Sequence, residues 1–359
     1  MARVDIIMPV RDGEAYIGEA VRSIMGQTER DWRLIVLNHA SRDGTAAIVD
    51  GLCREDRRIE TVAFGAEMTV SDVRNEGIAL CDAPFTMLHD ADDASLPERM
   101  TLQLALLEAQ PGLVLAGGGY EIMDGNGARL SSRLLPSDPK RLSTAYLFSN
   151  PVAHPTVMLR TGAFKDLGLR YGRSELALRY GIAPMELTNF AEDYLLFGQL
   201  AVLGLCGNVP APILRYRRHA GATSVMNFDR QMLLSADISR HLMELVAAHH
   251  GVDWQDPVPF CNHGARLYGD ASPHDLAARW AAMEAVLVAA FGDVPGVRRE
   301  LAFRRVLATR NLPMTLARFA RFLTRHAPDS DEAGTIRNIV KASLTRKPAM
   351  TAPSRHASA

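Results

Sequence analysis

The chain has 359 residues, 47% of them hydrophobic and 23% charged, which excludes a wholly disordered protein and suits one large domain with an appendage, or two domains. Lys and Arg total 40 against 41 Asp and Glu, a formal net charge of -1, so no chain-wide basic excess points to nucleic acid as a partner. The four cysteines, Cys53, Cys81, Cys206 and Cys261, form no C-x-x-C pair, which argues against a zinc site or disulfide framework and for a reducing compartment. No apolar run approaches the ~20 residues that span a bilayer, and Asp5 sits where a signal peptide would begin its apolar core. The expected location is cytoplasmic, with peripheral contact to the inner face of a membrane left open.

The first ninety residues alternate between strand and helix. Val4 to Met8 is a short apolar run closed by Pro9 and reads as a buried strand. Ile17, Ala20, Val21, Ile24 and Met25 recur at helical spacing. Leu34 to Leu37 is a second buried strand, and the turn Ser41-Arg42-Asp43-Gly44-Thr45 opens a helix carrying Ile48, Val49 and Leu52. Ile59 to Phe64 is a third strand; Val73, Ile78 and Leu80 mark a helix that ends before Pro84; Phe85 to Leu88 is a fourth strand. This alternation predicts a parallel sheet covered on both faces, with ligands beyond the carboxyl ends of its strands. From Leu113 the pattern loosens. Val114 to Ala116 and Tyr120 to Ile122 read as two short strands around the glycines at 117 to 119, and Asp124-Gly125-Asn126-Gly127 as a hairpin-like turn. Residues 170–190 read as a loop region and Leu195 to Leu203 as a helix. After about residue 227 the strands stop. Met232 to Ala248, Leu276 to Phe291, Val297 to Ala308, Pro313 to Arg325 and Ile336 to Leu344 all read as helices. The expected organisation is a domain over 1–226, a helical region over 227–345 and a disordered polar tail over 346–359.

The strongest local signal is His89-Asp90-Ala91-Asp92-Asp93, directly after an apolar strand. Three carboxylates this close repel one another, and at the end of a buried strand they lose solvation. A divalent cation, Mn²⁺ or Mg²⁺, offsets both costs and can neutralise a diphosphate, which points to phosphate-ester chemistry. The plain alternative is a solvated turn whose acids favour the helix opening near Pro97; a lone D-x-D does not decide between the two.

Further segments extend the signal. Ile7-Met8-Pro9-Val10-Arg11-Asp12-Gly13 is similar to the opening strand and loop of glycosyltransferase family 2, and Ser41-Arg42-Asp43-Gly44-Thr45 to that family's D-G-S-x-D-G-T turn. Arg74-Asn75-Glu76-Gly77-Ile78 resembles its R-N-x-G segment, and Leu88 to Asp93 its L-D-A-D-D. His154-Pro155-Thr156-Val157-Met158, Ala191-Glu192-Asp193-Tyr194 and Arg215-Tyr216-Arg217-Arg218-His219 resemble three later stretches, the last two being its E-D-Y and Y-R-x-H. The order is right over residues 3 to about 224. The resemblance implies the GT-A fold: an α/β, Rossmann-like domain with a mixed, mainly parallel sheet, followed here by a C-terminal helical region that it does not cover.

The implied activity is a metal-dependent, inverting transfer of a sugar from a nucleotide-diphosphate donor to a hydroxyl acceptor, a glycan or a lipid-linked one, in polysaccharide, lipopolysaccharide or other cell-envelope assembly. Asp90 would lie near the ribose. Asp92 would be the main ligand of Mn²⁺ or Mg²⁺, with neutral His219 as a second. Pro9, Val10, Arg11 and Ala91 fall in the implied nucleotide-sugar site. Arg215 and Arg217, with His219, would approach the diphosphate, since a guanidinium binds phosphate oxygens in a fork; Arg74 would reach the diphosphate or hold the acids by an ion pair. Asp193 is the implied general base, taking the acceptor proton as its oxygen attacks the anomeric carbon. Asp93, His154 and Glu192 are candidates for the acceptor side or for support. As alternatives, Glu192 and Asp193 are capping acids of the following helix, and Arg215 and Arg217 are exposed charges on one face of a strand edge.

One departure stands out. The family usually has two acids before the G-S turn, one of them touching the base, whereas this chain reads Leu37-Asn38-His39-Ala40-Ser41. Asn38 or neutral His39 can accept a hydrogen bond from a pyrimidine imide, while guanine's paired donors want a carboxylate, so a UDP- or dTDP-sugar is the expected donor. The same loss leaves open a degenerate sugar-nucleotide-binding or scaffold protein. A nucleotidyltransferase is a third reading, but Arg11-Asp12-Gly13 lacks the glycine-rich loop and lysine that class usually needs. No G-x-G-x-x-G follows a strand, which sets an NAD dehydrogenase aside.

Arginines stand at 298, 299, 304, 305, 310, 318, 321 and 325, with Glu300 the one acid in that span. After Pro313, Arg318, Arg321 and Arg325 share a face opposite Leu316, Phe319 and Leu323. Such a helix can lie on an anionic membrane, which suits a lipid-linked acceptor. A packing helix with a solvated basic face and a homodimer interface are the other readings, and sequence does not separate them.

Overall fold

The computed structural model describes residues 2–188, 190–219, 228–262, 273–308 and 312–344. The strand–helix alternation runs as β1 (Val4–Val10), α1 (Ile17–Met25), β2 (Trp32–His39), α2 (Thr45–Glu55), β3 (Ile59–Phe64), α3 (Val70–Ala79) and β4 (Phe85–Leu88). β1, β2 and β4 are almost wholly buried, as strands apolar on both faces must be when helices cover both sides. α1 buries Ile17, Ala20, Val21 and Ile24, the residues its spacing selects. α3 begins earlier than its apolar pattern shows, because Thr69 and Asp72 form a capping box.

The chain continues through β5 (Ala94–Ser95), α4 (Arg99–Ala109), β6 (Leu115–Met123), β7 (Arg129–Arg133), α5 (Pro139–Ala145), β8 (Met158–Arg160), α6 (Thr161–Asp166), α7 (Glu175–Leu178), α8 (Glu192–Val202) and β9 (Cys206–Arg217). The strand order is β3-β2-β1-β4-β8-β6-β9-β5, with β7 on β6. β1 to β4 pair in parallel, and so does the long β6–β9 ladder; the short β5, β7 and β8 run antiparallel. This is the expected mixed, mainly parallel α/β sheet.

Leu115 to Met123 forms one strand, not two. The glycines stay inside the ladder because neighbouring chains leave no room for side chains. A Cβ on Gly117 would sit 2.3 Å from Asn208 Oδ1, and one on Gly119 2.6 Å from the Arg133 carbonyl oxygen. The turn at 124–127 joins β6 to β7 as expected, with Gly127 at a φ of 85°. Residues 170–188 are mainly irregular around the short α7.

The described helices that follow are α9 (Phe228–His250), α10 (Pro273–Phe291), α11 (Pro295–Leu307), α12 (Leu312–Leu323) and α13 (Ser330–Leu344). Leu242 and Val246 of α9 and Trp280 and Leu287 of α10 join Phe148, Phe197 and Leu200 in the main apolar core. Phe303, Val306, Phe322 and Ile336 make a smaller core between α11, α12 and α13. A buried ion network ties these helices to the sheet domain. Arg141 of α5 reaches Glu300 at 3.1 Å and both Asp329 and Glu332 at 2.7 Å, and Arg304 reaches Glu300 at 2.7 Å. Burial pushes the Glu300 carboxyl up, but Arg304 and Arg141 outweigh it and hold it below the usual carboxylate range.

The packing face of α12 differs from the one expected. Thr315 and Phe322 are buried, whereas Leu316 and Leu323 are exposed, because Phe322 draws the helix onto the small core. The expected disordered tail, 346–359, and Arg310 lie outside the described residues. No described helix is long and apolar enough to cross a membrane.

Candidate active site

A cleft of about 770 Å³ opens beyond the carboxyl ends of β1 and β4. Pro9, Val10 and Arg11 leave β1 along one side, and Asp90, Ala91 and Asp92 leave β4 beside them. Asn150, His154, Glu192 and Asp193 line it as well.

The acid loop is held in graded environments. His89 stays buried; its Nδ1 donates to the Asp90 carbonyl at 2.7 Å, and burial together with Arg99 pushes its pKa down to about 3. Asp90 lies 3.4 Å from His154 Nδ1 and 3.7 Å from the Arg74 guanidinium. Burial pushes the Asp90 carboxyl up, yet His154 and Arg74 bring it well below the usual range. Tyr171 braces both partners: its hydroxyl is 2.9 Å from His154 Nε2, and its ring faces Arg74. Asp92 lies 3.0 Å from His219 Nε2, and the His219 ring packs on Tyr16. Burial and the charge of Asp90 push the Asp92 carboxyl up.

Asp193 reaches the cleft from the start of α8. Phe190 and Ala191 both have left-handed backbone, at φ 67° and 59°, just before α8. Each such non-glycine residue costs roughly 1–2 kcal/mol, and conformations of this kind concentrate where a site needs a fixed direction. Glu192 and Asp193 occupy the first turn of α8, where the helix dipole favours carboxylates. Their side-chain bonds reach outward: Asp193 Oδ2 accepts from Asn150 Nδ2 at 2.9 Å, and Glu192 Oε1 from the Ser71 hydroxyl at 3.3 Å.

The architecture agrees with sequence comparison. The family profile described as glycosyl transferase family 2 matches residues 5–168. The match covers just under half of the chain, so it is over the sheet domain that the chain is similar to glycosyltransferase family 2. An uncharacterized glycosyltransferase of Haemophilus influenzae is 23% identical over 258 residues, which is 70% of this chain and 76% of the relative. The O-antigen biosynthesis glycosyltransferase WbnJ of Escherichia coli is 27% identical over 160 residues, 44% of this chain and 61% of WbnJ. Among solved structures, S. aureus TarS 1-349 in complex with UDP-GlcNAc aligns with a TM-score of 0.49 and 16% identity, over 96% of this chain and 92% of that one.

The cleft gathers Pro9, Val10, Arg11, Arg74, Asp90, Ala91, Asp92, His154, Glu192, Asp193 and His219 from the sequence-based set. Four others lie elsewhere. Asp93 is 1% exposed beneath the loop, and its Oδ1 accepts the Arg217 amide at 2.8 Å. Burial and its acidic neighbours push its carboxyl well up. Arg217 is buried behind the acids, where its guanidinium donates to the Asp92 carbonyl at 2.8 Å, the Gly125 carbonyl at 3.1 Å and Glu19 at 2.5 Å. With its donors so engaged it clamps the loop from the back. Nor does it share an exposed face with Arg215, which is exposed and pairs with Glu121 at 3.4 Å. Asn38 and His39 end β2 outside the cleft lining; Asn38 Oδ1 accepts the Ser41 amide at 3.2 Å, and His39 is buried. Cleft residues that escape the sequence reading include Asn150, Tyr16 and Gln231 of α9. Asn150 sits four residues before His154 in an irregular stretch, the only local cue to it.

Proposed function

We propose that the protein is a glycosyltransferase that inverts the anomeric centre as it moves a sugar from a nucleotide-diphosphate donor to a hydroxyl of a cell-envelope glycan or of a lipid-linked acceptor. The observation that carries the reading is the convergence of Asp90 and Asp92 with Asp193 in one cleft, each acid backed by a named partner. In this reading Asp193 takes the acceptor proton. Asn150 fixes one carboxylate oxygen and leaves the other to the hydroxyl. Arg74, beside Asp90, offers a guanidinium to the diphosphate. The kinship with an O-antigen biosynthesis enzyme supports the class of acceptor.

Asp92 and His219 are the residues that would hold Mn²⁺ or Mg²⁺. A carboxylate oxygen suits both ions, and an imidazole nitrogen is tolerated better by Mn²⁺ than by the harder Mg²⁺. The repulsion between Asp90 and Asp92 is what a cation there relieves. Among the described residues no group of three or more His, Cys, Asp or Glu gathers into a cage, so diphosphate and water would complete the coordination. Bound there, a divalent cation neutralises the charge that builds on the leaving diphosphate.

The narrower donor, a UDP- or dTDP-sugar, rests on the lack of a carboxylate at the end of β2, where Asn38 and His39 stand outside the cleft lining and offer guanine's two donors no acid. A thermal-shift screen of UDP, dTDP, GDP and CDP with and without Mn²⁺ tests this. UDP or dTDP should stabilise the protein, and only with metal. A response to GDP alone would overturn the donor assignment.

A further inference from the structure

We propose that α11 and α12 enclose a second binding site, for a phosphate group carried on a carbon chain, separate from the transferase cleft and independent of the activity proposed above. A cavity of about 750 Å³ lies between the two helices and shares no lining residue with the cleft. Arg305 of α11 faces it from one side, and Arg318, Arg321 and Arg325 from the other, with Leu301 and Phe322 beneath them. Arg298 and Arg299 also line it, but their charges are met: Arg298 by Asp293 and Glu284, and Arg299 by Glu332. The first four form no ion pair with a described acid. Arg318 donates to the carbonyls of Arg305 and Ala308, both at 3.1 Å, which aims the guanidinium without neutralising it. Burial, and to a lesser degree the neighbouring Arg305 charge, press its pKa down.

Among the described residues Glu284 is the one acid in the cavity lining and is engaged by Arg298, so the four arginines that share the cavity are left without a counter-charge that an anion would supply. Guanidinium forks match phosphate oxygens, and the apolar floor accepts carbon next to them. The fitting ligand is therefore a phosphate ester of the glycerol-phosphate kind, supplied either as a lipid headgroup or as a soluble polyol phosphate.

The test uses the full chain and two probes: glycerol phosphate in a thermal-shift assay, and phosphatidylglycerol–phosphatidylcholine vesicles in co-sedimentation, each at low and high salt. Wild type should bind at least one probe, less well at high salt. Arg321→Glu/Arg325→Glu alters two exposed residues and should weaken that binding by about ten-fold or more, with donor turnover unchanged. Arg305→Gln, on the facing helix, should shift binding the same way by a smaller factor and guards against a folding defect in the double variant. Vesicle binding without a response to glycerol phosphate assigns a lipid headgroup; the reverse assigns a soluble ester. Binding of neither probe by wild type, or equal binding by the variants, overturns the proposal.

Discussion

Asn150 is the residue whose removal tests the catalytic geometry most sharply without touching the proposed base. Its amide donates to Asp193 Oδ2 at 2.9 Å, a hydrogen bond to a charged acceptor. Bonds of that kind are worth ~1.5–3 kcal/mol. Asn150→Ala deletes the donor and frees the carboxylate to rotate away from the acceptor hydroxyl. If the full bond is expressed only when Asp193 is aligned for proton transfer, kcat should fall by roughly 10- to 100-fold, at about 1.4 kcal/mol per decade. Nucleotide binding should not change, because Asp90, Asp92 and His219 keep their own partners. Steady-state kinetics with the donor found in the nucleotide screen, paired with calorimetric nucleotide affinity, separates the two effects. A kcat within two-fold of wild type, or a loss confined to nucleotide affinity, would refute the assignment of Asn150 as the residue that positions the base.

Other consequences concern the scaffold. Glu300→Gln leaves Arg141 and Arg304 buried with one carboxylate fewer and should cost about 3 kcal/mol, read as a lower unfolding midpoint. The Glu300 carboxyl is held low in the folded state, so its contribution is present above the ordinary carboxyl pKa and is lost as pH falls through the folded one. The gap between wild type and variant should therefore narrow in acid, and a gap that widens there would contradict the sign. Asp5 follows the same rule: burial raises its carboxyl, but Arg33 and the amides of Ala83 and Asp82 lower it further. Asp5→Asn should accordingly destabilise at neutral pH and lose its effect in acid; equal melting of the two proteins at pH 7 would speak against this. Gly119→Ala places a methyl 2.6 Å from the Arg133 carbonyl oxygen and 3.0 Å from that of Ala211, and should cost ~1–3 kcal/mol in urea unfolding. Unchanged stability would mean that the β6 neighbours yield more easily than their backbone contacts suggest.

The sheet was legible where strands are buried on both faces. β1, β2 and β4 are unbroken apolar runs, and the acids after β4 stand out against them. What sequence could not tell was the direction in which each residue of a motif points. Asp92 and Asp93 are adjacent, yet one lines the cleft and the other lies beneath it, because the loop turns between them. Arg217 belongs to a matched segment but is turned inward by Glu19 and two loop carbonyls. Asn38 and His39 follow the pattern of a base-contacting pair, yet Ala40 bends the chain at a φ of 52°, and Asn38 closes the turn on Ser41. Asn150 lies in a stretch with neither period nor motif of its own, so its bond to Asp193 is a product of tertiary packing. On α12 the helical period was right, but two apolar stripes competed. Contact with Phe303 and Ile336 selected the one through Phe322.

The central claim is that Asp92 serves the donor and Asp193 the acceptor in one transferase cleft. The direct measurement is sugar transfer and Mn²⁺-dependent nucleotide affinity for Asp92→Ala and Asp193→Asn side by side with wild type. The account predicts that Asp193→Asn keeps nucleotide affinity and loses about 10²–10⁴-fold in turnover, while Asp92→Ala loses the metal-dependent part of nucleotide binding. Wild-type turnover by Asp193→Asn, or metal-dependent nucleotide affinity that survives in Asp92→Ala, would contradict it.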